Sequence, residues 1–491
     1  MKQTQKIKKT LMLLVAGLLI PCIGMAATMP TDPIGGKPPA GSEQSVKDLD
    51  YQVKYQRAFE AVLWSMPAVA VYGWFKGAKA IGAGNNTVLA WSEPAKPNAE
   101  LLTANNVTPY LLSQTDLSKG PVVMEIPAAT DKASFYGQII DHWQITIADV
   151  GPSGIDKGKG GKILLTPPGY TGKVPAGYIE VKSPSYRVIF IFRSIKGAKA
   201  TNKDAYAYAK TVKLHYLSEL PNPKPTRFID PVDKRYATLP HYDENWFEDV
   251  YAIFSLENAQ PRDKVMMGML ASLGIEKGKP YNPDEKTKKA MRQAVIDAYF
   301  YMANRMVNPT DPNRKWWKDQ SWYDGLFADQ NRMFAFETDD LIELDDRADR
   351  YYIGTAYPKQ LPKLPATQYL FALADKDGNP LQAGKTYKFT MPAKVPVKDF
   401  WSLIVYDLET VAFIYSEQNV IGLSSAIDLP NMKKNDDGSV TMYFGPKAPE
   451  GLESNWIPTA GKKPFPVVRI YGGTEKFWDK SWKMPDVELV Q

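Results

Sequence analysis

Five consecutive segments between Gly120 and Ser194 decide the fold of this 491-residue chain. They read GPVVMEIPA (120–128), FYGQIIDHW (135–143), DVGPSG (149–154), KGKGGKILLTPPGY (157–170) and SPSYRVIFIFRS (183–194). Short apolar runs alternate with Gly, Pro and Asp turns, which is typical of strands. No long helical pattern separates the runs, so the first domain is predicted to be an antiparallel β-sandwich.

The apolar runs also predict where individual strands lie, and one helix is predicted before them. Helical spacing of apolar residues indicates an amphipathic helix from Ser45 to Pro67. The predicted strands of the first domain are Thr87–Trp91, Val122–Ile126, Phe135–Ile147, Ile163–Thr166 and Tyr186–Arg193.

A helical pattern and then a second strand pattern occupy the rest of the chain. Asn258–Leu273 and Asn282–Val307 carry helix start and stop residues, and the acidic string DDLIELDDRADR (339–350) is predicted to form a less regular helical end of the same module. After Gly354 the strand pattern returns with Asp-Gly turns, which predicts a second sandwich of jelly-roll form. The predicted fold class is therefore mainly β, with a helical module between two β domains.

The N-terminal residues have the pattern of a secretory signal peptide. Lysines precede the apolar stretch Leu11–Ile20, and small residues follow it, so cleavage is predicted after Ala26. Residues 1–27 are predicted to be the signal and residues 28–44 a flexible leader, which implies a periplasmic or secreted protein. The alternative is lipidation of Cys22, the only cysteine; signal cleavage otherwise leaves a cysteine-free mature chain. No later segment has the length and apolar content of a transmembrane span.

Charge and histidine spacing limit the expected partners. The signal holds four of the 60 basic residues and no acidic residue, which leaves 56 basic against 54 acidic residues. Nucleic acid is therefore not expected as a partner, since its binding needs a concentrated basic face. The histidines at 142, 215 and 241 lack the short spacing of zinc ligands, so no metal site is predicted. A small molecule or a glycan is the expected partner, a homo-oligomer is compatible with the sequence, and the cofactor is unknown.

Motifs in both β domains carry a resemblance to a known family. They include NNVTPY (105–110), FWSLIVYD (400–407), DGSVTMYF (437–444), NWIPT (455–459) and VVRIYGG (467–473), besides the segments quoted first. With these motifs the chain resembles exported bacterial proteins that pair a domain of unknown function 1254 with a domain of unknown function 1214. The resemblance implies an immunoglobulin-like sandwich at 45–230, a helical module at 231–354 and a jelly roll at 355–491. The resemblance does not identify catalytic residues in this sequence.

Asp141 and His142 are the candidate catalytic residues. In a strand through 135–143, Asp141 lies on one face with Ile139 and Trp143, and His142 on the other. A carboxylate on an apolar face either pairs with Arg or Lys or has a raised pKa that suits acid and base catalysis. His142 is either a proton shuttle or a hydrogen-bonded structural residue.

Four further residues are candidates for ligand binding. Arg187 and Arg193 share the strand face of Ile189 and Ile191, where they would hold an anion or pair with an internal carboxylate such as Asp141. Two tryptophans are candidate stacking platforms for a glycan, namely Trp401 and Trp456.

In the last domain a structural ion pair is expected. Asp407 and Arg469 each lie on an apolar strand face, and the simplest way to bury both charges is to pair them.

Three classes of function are compatible with these features. The first is an enzyme with a site between the two β domains, and the second is a noncatalytic binding protein. The third is a structural or assembly protein of the cell envelope. The sequence favours an exported protein that binds or processes a small molecule or glycan in a cleft between two β domains, with the structural protein as the alternative; it leaves enzymatic activity open.

Overall fold

The structure, a computed structural model, describes residues 35–309 and 311–490. The predicted signal peptide and Cys22 lie outside the described residues. Residues 35–44 of the predicted leader are exposed and contain neither helix nor strand. The fold described below is formed by residues 50–490.

The helices occur in three places: before the first sheet, within the β regions, and in the middle module. They are α1 (Leu49–Ala80), α2 (Asn202–Ala209), α3 (Asn245–Leu256), α4 (Lys264–Ala271), α5 (Glu285–Val307), α6 (Leu344–Ile353) and α7 (Glu475–Trp478).

Helix α1 is longer than predicted. It continues through Pro67 to Ala80, so the prediction of a helix end at Pro67 was wrong. Proline inside a helix costs about 3 kcal/mol because it lacks a donor and crowds the preceding turn. The second half of α1 is almost entirely buried, and the packing of this core helix outweighs that cost.

Helix α1 is also the one helix among residues 35–309 and 311–490 whose length and composition would allow it to cross a membrane. In its most apolar window 78% of the residues are buried inside the protein, and a core helix passes the same test. It is therefore only a weak candidate for a membrane span.

The N-terminal β region contains twelve strands. They are β1 (Thr87–Ala90), β2 (Ala99–Glu100), β3 (Tyr110–Asp116), β4 (Val122–Ile126), β5 (Ala133–Asp141), β6 (Thr146–Val150), β7 (Gly161–Thr166), β8 (Tyr178–Lys182), β9 (Arg187–Lys196), β10 (Lys213–Tyr216), β11 (Arg227–Ile229) and β12 (Tyr236–Ala237). A six-stranded sheet has the order β11-β1-β3-β9-β5-β6, a four-stranded sheet has the order β10-β4-β7-β8, and β2 pairs with β12. Most neighbours are antiparallel as predicted, but β1–β11, β7–β8 and β2–β12 are parallel.

The C-terminal β region contains ten strands. They are β13 (Trp322–Asp324), β14 (Thr367–Ala372), β15 (Tyr387–Met391), β16 (Val397–Asp407), β17 (Ala412–Phe413), β18 (Gly422–Ser424), β19 (Val440–Gly445), β20 (Trp456–Pro458), β21 (Pro464–Gly473) and β22 (Glu488–Leu489). One sheet has the order β13-β14-β21-β16-β17, with β18 also paired to β16, and the second has the order β20-β19-β15-β22.

The middle module is helical, as predicted, but its boundaries differ. Helix α5 begins at Glu285, because the carboxylate of Asp284 caps it by accepting a hydrogen bond from Thr287 N at 2.7 Å. The helix start predicted at Asn282 was therefore two residues too early. The acidic string contributes α6, and α3 was not predicted.

Three hydrophobic cores organise the protein. One lies between the two N-terminal sheets and a second between the two C-terminal sheets. The third, called the central core here, contains α1, the middle helices and one face of each large sheet. Strand β9 shows the division, since Val188 and Phe190 point into the N-terminal core while Ile189 and Ile191 point into the central core.

Candidate functional site

A cavity of about 170 Å³ lies in the central core, between the two large sheets. Strands β3, β5 and β9 contribute one wall, and β14 and β21 contribute the opposite wall. The loop after α6, residues 354–366, contributes much of the remaining lining. The sequence predicted a cleft between the two β domains, and a cavity lies there.

Two arginines and a tyrosine form the polar part of the cavity. Arg193 on β9 donates from Nη2 to the hydroxyl of Tyr369 on β14, at 3.2 Å. The guanidinium of Arg469 on β21 lies 4.7 Å from the centre of the Tyr369 ring. Tyr369 therefore lies between two guanidinium groups that come from different β regions.

Arg469 is the more firmly held of the two arginines. Its Nη2 donates to the carbonyl of Thr103 at 2.7 Å, to that of Ala104 at 3.3 Å and to the hydroxyl of Tyr406 at 2.5 Å. Its Nε and Nη1 are buried and make no protein hydrogen bond. Arg469 therefore links the two β regions and still has donors without a partner.

A third arginine, Arg350 on α6, also lines the cavity. It donates to the carbonyl of Gly325 at 2.6 Å, and its guanidinium lies 4.6 Å from the ring centres of both Phe327 and Tyr357. These contacts fix the guanidinium between aromatic rings. Arg350 thus adds positive charge to the cavity from a rigid position.

The positive charge of the cavity has no carboxylate partner in the described part of the chain. Within 4.0 Å, no Asp or Glu oxygen of the described residues approaches Arg193, Arg350 or Arg469, whereas other arginines do form ion pairs, as Arg305 does with Asp349. Asp324 lies near Arg350 but bonds instead to Leu326 N and to a side-chain amide. Two of these arginines are buried, and Arg193 is partly buried facing the cavity.

The arginines shift the acidity of Tyr369. Burial raises the pKa of Tyr369, but the charges of Arg193 and Arg469 oppose burial and bring that pKa below its ordinary value of 10.0. For Arg193, burial acts in the opposite direction and lowers the pKa of the guanidinium. The phenols around Arg193 outweigh this effect of burial and raise its pKa above the ordinary value. Arg193 therefore carries its charge at every physiological pH.

Asp141 does not line the cavity. Its carboxylate accepts hydrogen bonds from Trp143 N at 2.8 Å and Ile145 N at 2.9 Å, which fixes the turn between β5 and β6. Burial raises the pKa of Asp141 to about 7, against the effect of these hydrogen bonds. The predicted burial is confirmed. The predicted shared face was wrong for Trp143, because β5 ends at Asp141 and Trp143 packs in the central core.

His142 is buried outside the cavity. Neither ring nitrogen makes a hydrogen bond, and Nδ1 lies 4.0 Å from Oε2 of Glu257. Burial lowers the pKa of His142 to about 3, and the charges of Arg187 and Arg262 act in the same direction. The ring is therefore neutral near pH 7, and a catalytic role for Asp141 or His142 stays a prediction.

Arg187 and Arg193 share one face of β9, as predicted, but their surroundings differ. Arg187 donates to the carbonyls of Ala252 and Ile253 at the end of α3, and it lies 3.9 Å from Glu257. The expected partner Asp141 is thus not the partner of Arg187. Arg193 is the one predicted site residue that lines the cavity.

The predicted pair of Asp407 and Arg469 does not form. In the pairing of β16 with β21, Arg469 lies opposite Ser402. Residues 402, 404 and 406 share a face with Arg469, while Asp407 lies on the other face. Asp407 instead approaches Lys462, at 3.7 Å.

The two predicted stacking residues lie away from the cavity. Trp401 is 4% exposed and belongs to the C-terminal core, so it offers no open ring face. Trp456 is partly buried on β20, and its indole nitrogen donates to the carbonyl of Gly445 at 3.1 Å. The aromatic cluster of Trp316, Trp317 and Trp322 is also buried in that core.

Sequence reasoning missed Tyr369 and Arg350. Tyr369 and Phe371 lie in the strand pattern predicted after Gly354 and share one face of β14, so the alternation of that strand could have placed both residues together. Arg350 ends the acidic string 339–350, which was predicted only as a less regular helical end of the middle module. No group of three or more His, Cys, Asp or Glu side chains in the described ranges is placed to hold a metal ion.

Comparisons with known proteins identify two domain families. The model of the family described as protein of unknown function DUF1254 matches residues 85–216, and that of protein of unknown function DUF1214 matches residues 366–475. No curated protein matches the chain.

Two solved structures match the chain. The crystal structure of the VPA0106 protein from Vibrio parahaemolyticus has a TM-score of 0.52 at 19% identity, over 89% of this chain and 100% of that one. A protein from Burkholderia cenocepacia has a TM-score of 0.38 at 10% identity, over 90% of this chain and 95% of that one. The first of these supports a shared fold and says nothing about activity. The chain therefore combines an N-terminal match to DUF1254 with a C-terminal match to DUF1214.

Proposed function

We propose that this protein binds a small organic anion in the central cavity, with the negative group of the ligand held by Arg193 and Arg469. One observation carries the proposal: three arginines line the cavity, and none has a carboxylate partner within 4.0 Å among the described residues.

The energetics of buried charge support an anionic ligand. A guanidinium removed from water loses hydration that only a counter-charge and hydrogen bonds replace. Arg187, on the same strand, lies 3.9 Å from Glu257, whereas the neighbours that raise the pKa of Arg193 are phenols. A ligand carboxylate, sulfate or phosphate would supply the missing charge, since guanidinium groups bind such anions with two parallel hydrogen bonds.

A small molecule fits the cavity better than a glycan chain does. About 170 Å³ is little more than the roughly 150 Å³ that accommodates one benzene molecule. The candidate stacking residues Trp401 and Trp456 do not line this cavity, which weakens the case for a carbohydrate site here.

The proposal keeps two expectations from the sequence. The protein is exported by its predicted signal peptide and acts in the periplasm or outside the cell. Its two β regions have the immunoglobulin-like and jelly-roll forms that the family resemblance implies. Both expectations agree with an anion-binding cavity at the junction of the two regions.

The proposal is tested by thermal unfolding with and without anions. A ligand that binds only the folded state raises the melting temperature. We expect a saturable rise with at least one of acetate, benzoate, succinate, sulfate and phosphate at millimolar concentration. The rise should be lost in Arg193→Met and kept in Arg227→Met, which removes an exposed guanidinium elsewhere. Absence of any rise, or an equal rise in both variants, would contradict the proposal.

A further inference from the structure

We infer that the ligand is a monocarboxylate with a compact apolar body, such as an aromatic acid. The inference rests on the proposed anion binding and names the class of anion. It comes from the wall formed by β14 and β21, whose chemical character changes along the strands.

The register of the two strands places a polar pair beside an apolar pair. Tyr369 lies opposite Arg469, and Phe371 lies opposite Val467. Alternate residues of a strand share a face, and they lie about 6.5 to 7 Å apart along it. All four residues line the cavity. A ligand whose charged group contacts Arg469 therefore extends over Phe371 and Val467.

Further apolar side chains line the cavity beside Phe371 and Val467. Phe465 lies two residues before Val467 on the same face of β21. Its ring centre lies 5.4 Å from that of Phe371. Leu326 and Ile353 belong to the same hydrophobic core and also line the cavity. No Asp or Glu is among the residues that line it in the described part of the chain.

The change from a polar to an apolar wall predicts different affinities for different classes of anion. A monocarboxylate places its charge near Arg193 and Arg469 and its apolar body against Phe371 and Val467. A dicarboxylate that extends along these strands would place its second charge against Phe371 and Val467, whose side chains offer no hydrogen-bond donor to replace the lost hydration. Sulfate and acetate satisfy the arginines but leave the apolar end unfilled. The volume of about 170 Å³ suits a single ring or a short branched chain.

The test is calorimetric titration of the full chain with four related probes. Benzoate carries both features, benzyl alcohol lacks the charge, acetate lacks the apolar body, and terephthalate adds a second charge at the far end. We expect benzoate to bind at least about tenfold more tightly than each of the others, because only benzoate meets both ends of the cavity without burying an unpaired charge.

A pair of variants tests the apolar end itself. Val467→Thr keeps the side-chain shape but places a hydroxyl in the apolar end, so it should reduce the preference for benzoate over acetate at least about threefold. Val468→Thr makes the same change on the next residue, which points into the C-terminal core, and should leave the preference unchanged. If a variant does not fold, the titrations of the wild-type protein with the four probes test the inference by themselves.

The outcomes separate this inference from the proposed function. If acetate or terephthalate binds as tightly as benzoate, or if Val467→Thr folds and keeps the full preference, the monocarboxylate inference is overturned while anion binding stands. If benzyl alcohol binds as well as benzoate and no anion binds better, both are overturned. Tightest binding of benzoate supports both.

Discussion

At the scale of single residues, Arg187 and Arg193 have different surroundings although they lie on the same strand. Arg187 lies six residues earlier on the same face of β9 and is used structurally, because it bonds to the end of α3 and approaches Glu257. Arg193 faces the cavity with a phenol as its only hydrogen-bonded side chain. Two chemically identical residues thus have different contacts, and this difference is why the proposed binding role is given to Arg193 and not to Arg187.

Replacing Arg193 should abolish anion binding without lowering the free energy of unfolding. Exchanging a poorly paired, partly buried ion for an apolar side chain of similar size is often neutral or stabilising. We expect Arg193→Met to unfold at the same or higher urea concentration than wild type, with a gain of up to about 1 kcal/mol without ligand. A loss greater than about 1 kcal/mol would show that Arg193 has a structural role.

Ionisation of Tyr369 should weaken anion binding at alkaline pH. Burial raises the pKa of Tyr369, yet the charges of Arg193 and Arg469 bring it below 10.0. Phenolate would neutralise the guanidinium groups and repel an anion, so affinity should fall as the pH rises through this pKa. Titrations with benzoate from pH 7 to 9.5 check this, and Tyr369→Phe should show a flat profile. An equal decline in Tyr369→Phe would assign the effect to another group.

Asp141 should affect stability without affecting the cavity. Burial raises the pKa of Asp141 from 3.8 to about 7, so the folded state holds a proton that the unfolded state has already released. Because the folded state binds this proton more tightly than the unfolded state, the proton contributes to the free energy of unfolding at low pH. This contribution is lost as the pH rises through 7. From pH 5 to pH 8 wild type should therefore lose on the order of 2 kcal/mol relative to Asp141→Asn.

Urea unfolding of both proteins at the two pH values measures this difference. Other buried carboxyls, such as Asp349 with a pKa of about 6, titrate in both proteins. Their contributions therefore cancel when the free energies of unfolding of the two proteins are compared. Benzoate affinity at pH 7 serves as the second readout and should be equal in the two proteins. A large loss of affinity in Asp141→Asn would place Asp141 in the binding machinery after all.

At the scale of secondary-structure elements, local pattern predicted strands well and boundaries less well. The run Val122–Ile126 is strand β4 with the predicted ends, since turn residues flank it on both sides. The run Phe135–Ile147 was predicted as one strand, but it is β5 and β6 joined by a turn that the Asp141 carboxylate stabilises. A side chain that bonds to nearby backbone is a poor signal in a sequence, because the same residue also occurs inside strands.

Helix α1 shows how tertiary packing overrides a local signal. Two glycines after Pro67, Gly73 and Gly77, allow its backbone to approach β12 and the residue that follows it. A Cβ atom on Gly73 would lie 2.2 Å from the carbonyl oxygen of Thr238, and one on Gly77 would lie 2.4 Å from that of Ala237. These contacts were invisible in the sequence, because they join residues about 160 positions apart.

The close approach of α1 predicts a strong effect of a single methyl group. Gly73→Ala should lower the free energy of unfolding by about 2 kcal/mol or more, since the contacted atom belongs to the backbone and cannot turn aside. Gly268→Ala in α4 is the matched control, because nothing lies within 4 Å of its added Cβ. That control should gain up to about 1 kcal/mol from helix propensity. Urea unfolding that shows equal effects would contradict the close packing of α1.

At the scale of the whole molecule, the site exists because two β regions share one core. The central faces of β9 and β21 both point into that core, so Arg193 and Arg469 meet around Tyr369 although they are 276 residues apart in sequence. The apolar alternation on each strand predicted which face each arginine occupies. It did not predict which faces meet, and the expected pairing of Arg469 with Asp407 was wrong for that reason. Of the candidate site residues predicted from sequence, only Arg193 lines the cavity.

The most direct measurement of the central claim is an anomalous difference map from crystals grown with 4-bromobenzoate. The bromine marks the apolar end of the ligand, and the carboxylate is located from the ordinary density. We predict one strong bromine peak inside the cavity near Phe371 and Val467, with the carboxylate within hydrogen-bond distance of Arg193 or Arg469. Bromine peaks confined to the protein surface, with an unchanged cavity at saturating ligand, would contradict anion binding in the central cavity.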